Sequence, residues 1–446
     1  MKKIIYMKPV NMIFNCSPSL GIIDSWMPIM SSLRERLPHA NFIFVAPKLR
    51  SIRELNLSSS LHQKAAVIFD QVVFKADSDQ WYSTDSFDNA IKFAHQLDRS
   101  LVIRVMRKIR LWGIQSHLTV FQSWVNKKRF NSLHFDFLDL DSSRGVLLFD
   151  ISEIEKPYAE YIRNYLVQMP KYSLSHGLSP SGVGGVKQKL VKPSLRLKNV
   201  RALISSRIEE KFHMEKYGLA KSQLWITGIP RHENGWLQKI QRNKFKENFK
   251  SAPYLSEKFI FVIGRPANES YFPKKRKIET LIDIRKVAEK YGLNIVVKTH
   301  PKEHDASTYV EVFGSMSEGL TFNFSDFHPL ILGKNCSFAV SLYSGVAVDM
   351  VRLGTPVIEK LDLRGLQFAD NAESLRDADY EPVFSYRYLG FVLGASDSKT
   401  FENQVERVMK HREEVIAEQR AAYYRVYPTI PDINEKIAAE IAAAVG

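Results

Sequence analysis

Cysteine is scarce in this chain: two in 446 residues, Cys16 and Cys336, one in each half. Each sits in an apolar stretch of strand length. A disulfide framework is therefore excluded, and the pair reads as small buried residues in a reducing compartment. No Cys/His cluster has the spacing of a zinc site. No apolar run reaches the roughly 18 residues that a membrane-spanning helix needs. The start, MKKIIYMKPVNMIFNCSPS, places Lys8 inside its apolar stretch and lacks a small-residue cleavage site, so no secretory signal is expected. Acid is in deficit, with 48 Asp and Glu against 63 Lys and Arg and a net charge of +15. That excess implies an anionic partner, whether a phosphorylated substrate, an anionic membrane surface or nucleic acid, unless it only solubilises the surface. The basic residues are spread along the chain without an RNA-binding signature or a helix-turn-helix pattern, which ranks nucleic acid low.

What is present is the composition of a globular protein, 45% hydrophobic and 25% charged. The length exceeds what one core holds, so two domains are expected. Strand-length apolar runs alternate with helical periodicity through both halves, which predicts parallel sheets. In the first half strands are expected at 11–16, 41–47, 65–69, 72–75, 146–150, 171–175, 202–205 and 224–227. In the second half they are expected at 259–263, 294–298, 320–323, 338–341 and 355–359, with helices at 277–291 and 346–353. A charged amphipathic helix over 400–426 and an Ala-rich helix close the chain. The expected division is 1–245, 256–400 and 401–446, the last being helices that cross back. Two doubly wound, Rossmann-like α/β domains facing across a cleft describe the GT-B architecture, by analogy of fold.

Ligands of such sheets bind past the carboxyl ends of the strands, and the chemistry-bearing residues collect there. KTHP ends a strand with Lys298, His300 and Pro301: two groups suited to a phosphate and a proline that fixes the backbone. SLYSGVAVD places Ser341 at a strand end and Ser344 and Gly345 at a helix start, where backbone N–H groups and the helix dipole favour an anion. A plain serine N-cap is the competing reading. SHGLSPSG places His176 in a permissive loop, as a general base or a simple loop histidine. GIPRHENG supplies Arg231 for a phosphate or carboxylate and Glu233 for an acceptor hydroxyl, or else a salt-bridged turn. Gly264 and Arg265 repeat the pairing of close approach and charge, and Asn268 adds a polar contact. Asp150 and Asp141 could each serve as a general base, but have the positions of caps or turns. Asp139 and Asp141 form an Asp-x-Asp pair that reads as surface loop. The basic stretch 101–112 is either a membrane-docking face or a helix packed on its own domain.

The order HG, G-x-P-R-x-acid, K-x-HP and Y-S-x-V-x-x-D over residues 172–360 resembles the CDP-glycerol glycerophosphotransferases of teichoic acid synthesis. It also resembles the capsule and lipopolysaccharide Kdo transferases and the bacterial sialyl- and polysialyltransferases. The resemblance implies a GT-B glycosyltransferase of bacterial surface polysaccharide. It places His176 on the first family histidine, Arg231 on the family arginine and His300 on the histidine that contacts the donor phosphate. Ser344 becomes the serine-motif hydroxyl and Asp349 a structural helix acid. Leu342 stands where the family has aspartate, Gly345 where it has a second serine, and Glu233 where the glycerophosphotransferases have aspartate. The expected donor is a phosphate-activated sugar, CMP- or CDP-linked and Kdo- or sialate-like. The expected acceptor is a glycan or lipid-linked glycan. Catalysis is expected without a metal, and the expected place is the cytoplasm, with the inner membrane face as a candidate surface. A CDP-glycerol or CDP-ribitol phosphotransferase, a nucleotide-sugar epimerase of the same fold and a nucleic-acid-binding protein are the alternatives.

Overall fold

The structure, a computed structural model, describes residues 10–16, 20–48, 51–52, 59–75, 81–92, 145–156, 162, 168–175, 177–183, 191–192, 196–242, 252–303, 305–366 and 375–445. His176, Asp139, Asp141 and the stretch 101–112 lie outside the described residues.

The first sheet comprises β1 (Asn11–Asn15), β2 (Asn41–Ala46), β3 (Gln71–Lys75), β4 (Trp81–Thr84), β5 (Gly145–Phe149), β6 (Lys171–Leu174), β7 (Val200–Ile204) and β8 (Leu224–Ile226). Its order is β4-β3-β2-β1-β5-β6-β7-β8, parallel except for the β3–β4 pair at the edge. The second sheet comprises β9 (Phe259–Ile263), β10 (Asn294–Lys298), β11 (Phe322–Phe324), β12 (Phe338–Ser341), β13 (Val357–Lys360) and β14 (Leu393–Ala395). Its order is β11-β10-β9-β12-β13-β14, parallel throughout. Chain direction across each sheet reverses once, between β1 and β5 and between β9 and β12, and each reversal opens a crevice at the strand ends. Central strands such as GVLLF and FIFVI are buried along their whole length, because helices cover both faces of a parallel sheet.

The C-terminal helices do cross back. The helix Arg412–Val426 packs Ala422 and Tyr423 on the second domain. The helix Ile433–Ala443 places Ile433, Ile437, Ala438 and Ile441 in the core of the first. The connecting chain passes so close to the end of β8 that a side chain on Gly228 would meet the Pro428 carbonyl oxygen at 2.3 Å, and Gly228 has φ +68°. Both conditions demand glycine.

Several elements differ from expectation. Residues 65–69 are not a strand: they fall largely within the helix Ser59–Ile68, because a five-residue apolar run has no distinguishing period. The edge strands β4 and β14 are additional. The helix expected over 400–426 is two, Ser398–Lys410 and Arg412–Val426, broken at His411.

Candidate functional site

Register assembles the carboxyl edge of the second sheet. Lys298 of β10 pairs with Ile263 of β9, Ile263 with Ser341 of β12, and Ser341 with Glu359 of β13. Residues paired in this way stand side by side on one face. The row spans the β9/β12 crevice, with an ammonium near one end and a carboxyl near the other.

The loop after β12 turns sharply. Tyr343 has φ +67°, a conformation that costs a non-glycine residue about 1–3 kcal/mol and collects at ligand sites. It is held by stacking on Phe384, with centroids 3.9 Å apart, and by the Arg265 guanidinium, which donates to the Tyr343 carbonyl oxygen. Ser344 N–H donates to Ser341 Oγ at 3.1 Å, and Ser344 Oγ accepts the longer 3.4 Å contact from Val346 N. The helix Val346–Leu353 then begins. The Gly345 N–H has no partner among the described residues, which leaves a donor at the positive end of the helix dipole.

Lys298 is half-buried, and burial pushes its ammonium down to about 8 against the pull of Asp326 and Asp24. Its Nζ donates to the Asp326 carbonyl oxygen at 3.2 Å. His300 Nδ1 accepts from Lys302 N at 3.0 Å, so the ring proton of the neutral imidazole sits on Nε2, as a donor. Pro301 opens the turn that follows. Glu303, three residues past His300, was not singled out from sequence. It takes the Lys277 ammonium and the Tyr309 hydroxyl, the latter at 3.0 Å, and so anchors the HP turn. Lys298 carries a testable consequence. The affinity for a phosphate-bearing ligand held at this sheet edge should fall several-fold between pH 7 and 9, because the charged form is lost through about 8. Calorimetric titration across that range checks it, and Lys298→Met should flatten the trend; an unchanged trend in the variant would remove Lys298 from the site.

Other expected ligand contacts are used internally. Gly264 is required because a Cβ would meet the Lys298 carbonyl oxygen at 2.9 Å and Thr299 Cα at 3.2 Å; it lets β10 approach, not a ligand. Arg265 lies between Tyr271 and Tyr343, 5.1 and 4.9 Å from their ring centres, and donates to the Tyr271 hydroxyl. Asn268 is exposed and its Oδ1 accepts from Ser270 N at 2.9 Å, closing a turn. Ser341 is fully buried and shapes the turn at Ser344. Asp150 accepts from Ser152 N at 2.9 Å, as a cap.

GIPRHENG departs furthest from expectation. Arg231 was expected on the donor. It is 5% exposed, and its Nε and one Nη donate to Asp349 at 3.0 and 2.7 Å while the other Nη donates to Asp24 at 2.7 Å. Its charge is committed to two buried carboxylates, one in each domain. His232 Nε2 donates to the same Asp349 at 2.7 Å, and its Nδ1 accepts from the Tyr423 hydroxyl at 2.9 Å. Burial holds His232 below the usual imidazole range despite Asp349, in keeping with that neutral tautomer. His328 Nε2 donates to Asp24 at 3.0 Å while its Nδ1 caps Leu330 N at 3.2 Å. Glu233 accepts from Asn434 N at 3.3 Å and from the Asn434 side chain. Burial pushes its carboxyl up, while those bonds pull it down. The motif is thus the junction of both domains and the crossing helix. Asp24 and His328, essential to it, carry no sequence signal beyond charge on an apolar helix and before a proline.

The junction also brings the domains' loops together. Leu178, just after Gly177, lies 3.6 Å from the position a Gly345 Cβ would take, and Tyr427 Oη donates to the Leu178 carbonyl oxygen at 2.5 Å. The loop expected to carry acceptor chemistry therefore meets the helix start expected to hold the donor. Among the described residues no group of three or more His, Cys, Asp or Glu side chains is placed to hold a metal, and no helix is long and apolar enough to cross a membrane.

No protein-family model matches the sequence, and no curated protein matches it. Solved structures do match in fold. The UDP-GlcNAc 2-epimerase of Neisseria meningitidis, bound to UDP-GlcNAc, aligns over 98% of this chain and 99% of its own, with TM-score 0.51 and 12% identity. The Methanocaldococcus jannaschii UDP-GlcNAc 2-epimerase, in complex with UDP-GlcNAc and UDP, aligns over 98% and 100%, with TM-score 0.50 and 11% identity. The wall teichoic acid polymerase TagF aligns over 98% and 90%, with TM-score 0.53 and 10% identity. This chain shares with them the GT-B fold of two Rossmann-like domains, over nearly its whole length.

Proposed function

We propose that this chain is a nucleotide-sugar-dependent glycosyltransferase of bacterial surface polysaccharide synthesis. It takes a Kdo- or sialate-like sugar from a cytidine-activated donor to a glycan acceptor. The observation that supports the reading is that Lys298 and His300 stand at the end of β10 and the helix Val346–Leu353 starts after β12, on either side of β9 along one sheet edge, with the loop at Gly177 beside the helix start. Departure of the nucleotide places negative charge on a phosphate oxygen. A lysine ammonium, an imidazole N–H and a helix-start N–H are groups suited to stabilise that charge. Glu233 is held by Asn434, so of the two expected bases His176 is the one kept for the acceptor hydroxyl.

The test is a thermal-shift screen with CMP, CDP, UDP, GDP and sugar phosphates. A ligand at a hundredfold excess over its Kd adds about 2.7 kcal/mol to the native state. CMP or CDP is expected to raise the melting temperature most, and a flat response to all nucleotides would end the reading. A second reading, a nucleotide-sugar epimerase, is favoured by the full-length fold match to epimerases that bind UDP-GlcNAc. It predicts the strongest response to UDP and conversion of UDP-GlcNAc with no acceptor present. A teichoic-type phosphotransferase would instead leave a phosphodiester in the product, visible by mass.

A further inference from the structure

Tyr386 is 5% exposed, and its hydroxyl has no hydrogen-bond partner among the described residues. A buried Tyr hydroxyl ordinarily finds one. Its Oη lies 3.4 Å from the position a Gly345 Cβ would take, at the start of the helix Val346–Leu353. The Gly345 N–H is likewise without a partner among the described residues. Two donors from separate elements thus adjoin one spot. Ser344, Gly345 and Val346 are part-buried rather than buried, which leaves that helix start open to a ligand.

The phenol keeps its proton. Burial, with Tyr343, Glu359 and Asp349 adding to it against the pull of Arg265, pushes it well above its ordinary 10. Its ring is tilted against Tyr343, with centroids 5.5 Å apart, and the Tyr386 carbonyl oxygen accepts from Phe391 N at 2.9 Å. The adjacent Ser385 Oγ lies 2.5 Å from Ser179 Oγ of the first domain. The hydroxyl is therefore placed before any ligand arrives, and a fixed donor beside a helix start suits an anion. We propose that Tyr386 Oη and the Gly345 N–H together hold one phosphate of the nucleotide, the hydroxyl donating to a phosphate oxygen. The inference rests on the nucleotide-sugar reading and adds to its site a residue of the helix Ser385–Tyr388, which belongs to none of the strand-end motifs.

The test is calorimetric titration of CMP, CDP and UDP into wild type, Tyr386→Phe, and Tyr386→Phe combined with Gly345→Ser. Loss of one hydrogen bond to a charged group should weaken nucleotide binding about tenfold in Tyr386→Phe, whichever base the nucleotide carries. The serine should restore most of that loss. Gly345 has φ −56°, which any residue adopts, and its Cβ would stand in ordinary contact with Tyr386 Oη and with Leu178 Cβ at 3.6 Å. In the double variant the serine hydroxyl therefore has the room that the phenol oxygen leaves. The ligand-free melting temperature of each variant separates a lost contact from lost folding. Equal binding by wild type and Tyr386→Phe overturns the proposal and leaves the transferase reading standing. So does a loss that the serine fails to restore, which would belong to the shape of the loop. If no nucleotide binds the wild type, both fall.

Discussion

Arg231→Ala is expected to destabilise the protein by about 3–5 kcal/mol, the cost of removing one partner from a buried ion cluster. The substitution leaves two carboxylates whose side chains are 12% and 2% exposed, Asp24 and Asp349, without the guanidinium that joins them. The effect should reach beyond the first domain. The same cluster fixes His232 against Tyr423 of the crossing helix, and Arg352 donates to the His232 carbonyl oxygen at 3.1 Å. Denaturant unfolding followed by tryptophan fluorescence measures the loss. Arg231→Lys should recover little, because an ammonium cannot bridge two carboxylates as the guanidinium fork does.

The pH dependence of that loss has a definite sign. Burial alone would raise the Asp24 carboxyl, yet His328 and Arg231 hold it well below its ordinary 3.8. In the native protein this acid therefore contributes stability that is present above about 4 and lost as pH falls through its depressed value. Without Arg231 the largest attraction besides His328 is gone and burial counts for more. Asp24 then becomes costly to keep ionised, and protonation relieves it. The difference between wild type and Arg231→Ala should shrink as pH falls from 7 toward 4.5. A difference absent at pH 7 would show that the cluster does not hold the domains together, and one that stays constant over that range would show that Asp24 does not carry its pH dependence.

The sequence showed the strands of this fold because apolar runs in a parallel sheet are nearly continuous, and β5, β9, β10 and β12 fall where those runs do. It hid β4 and β14 because WYST and LGA are not apolar runs of strand length. The carboxyl-edge placement of KTHP and YSG was legible, since a strand's end and a helix's start are local features. The partners of GIPRHENG were not. Arg231 meets residues 118 and 207 positions away, and His232 and Glu233 meet residues 191 and 201 positions away. A glycine followed by an arginine at a strand end looks the same whether the arginine awaits a phosphate or an aspartate from the other domain. Gly228 and Gly264 show the same limit. A glycine at a strand end suggests room for a ligand, and each of these is room for another stretch of this chain.

His300→Ala is expected to lower kcat by about 10²–10³ with the donor the nucleotide screen identifies, the usual loss for one preorganised donor to a developing oxyanion. Lys302 N–H occupies Nδ1, so a neutral His300 presents Nε2–H and cannot serve as a base at that atom. A donor that matters most as charge develops lowers kcat with KM nearly unchanged, whereas one that binds ground and transition states alike raises KM alone. His300→Gln, which keeps an N–H donor near the same reach, should restore part of the rate. Wild-type turnover in His300→Ala would displace the leaving-group site from the β9/β12 crevice. A rise in KM alone would keep the crevice as the donor site but pass the stabilisation of the departing phosphate to Lys298 and the helix start at Gly345.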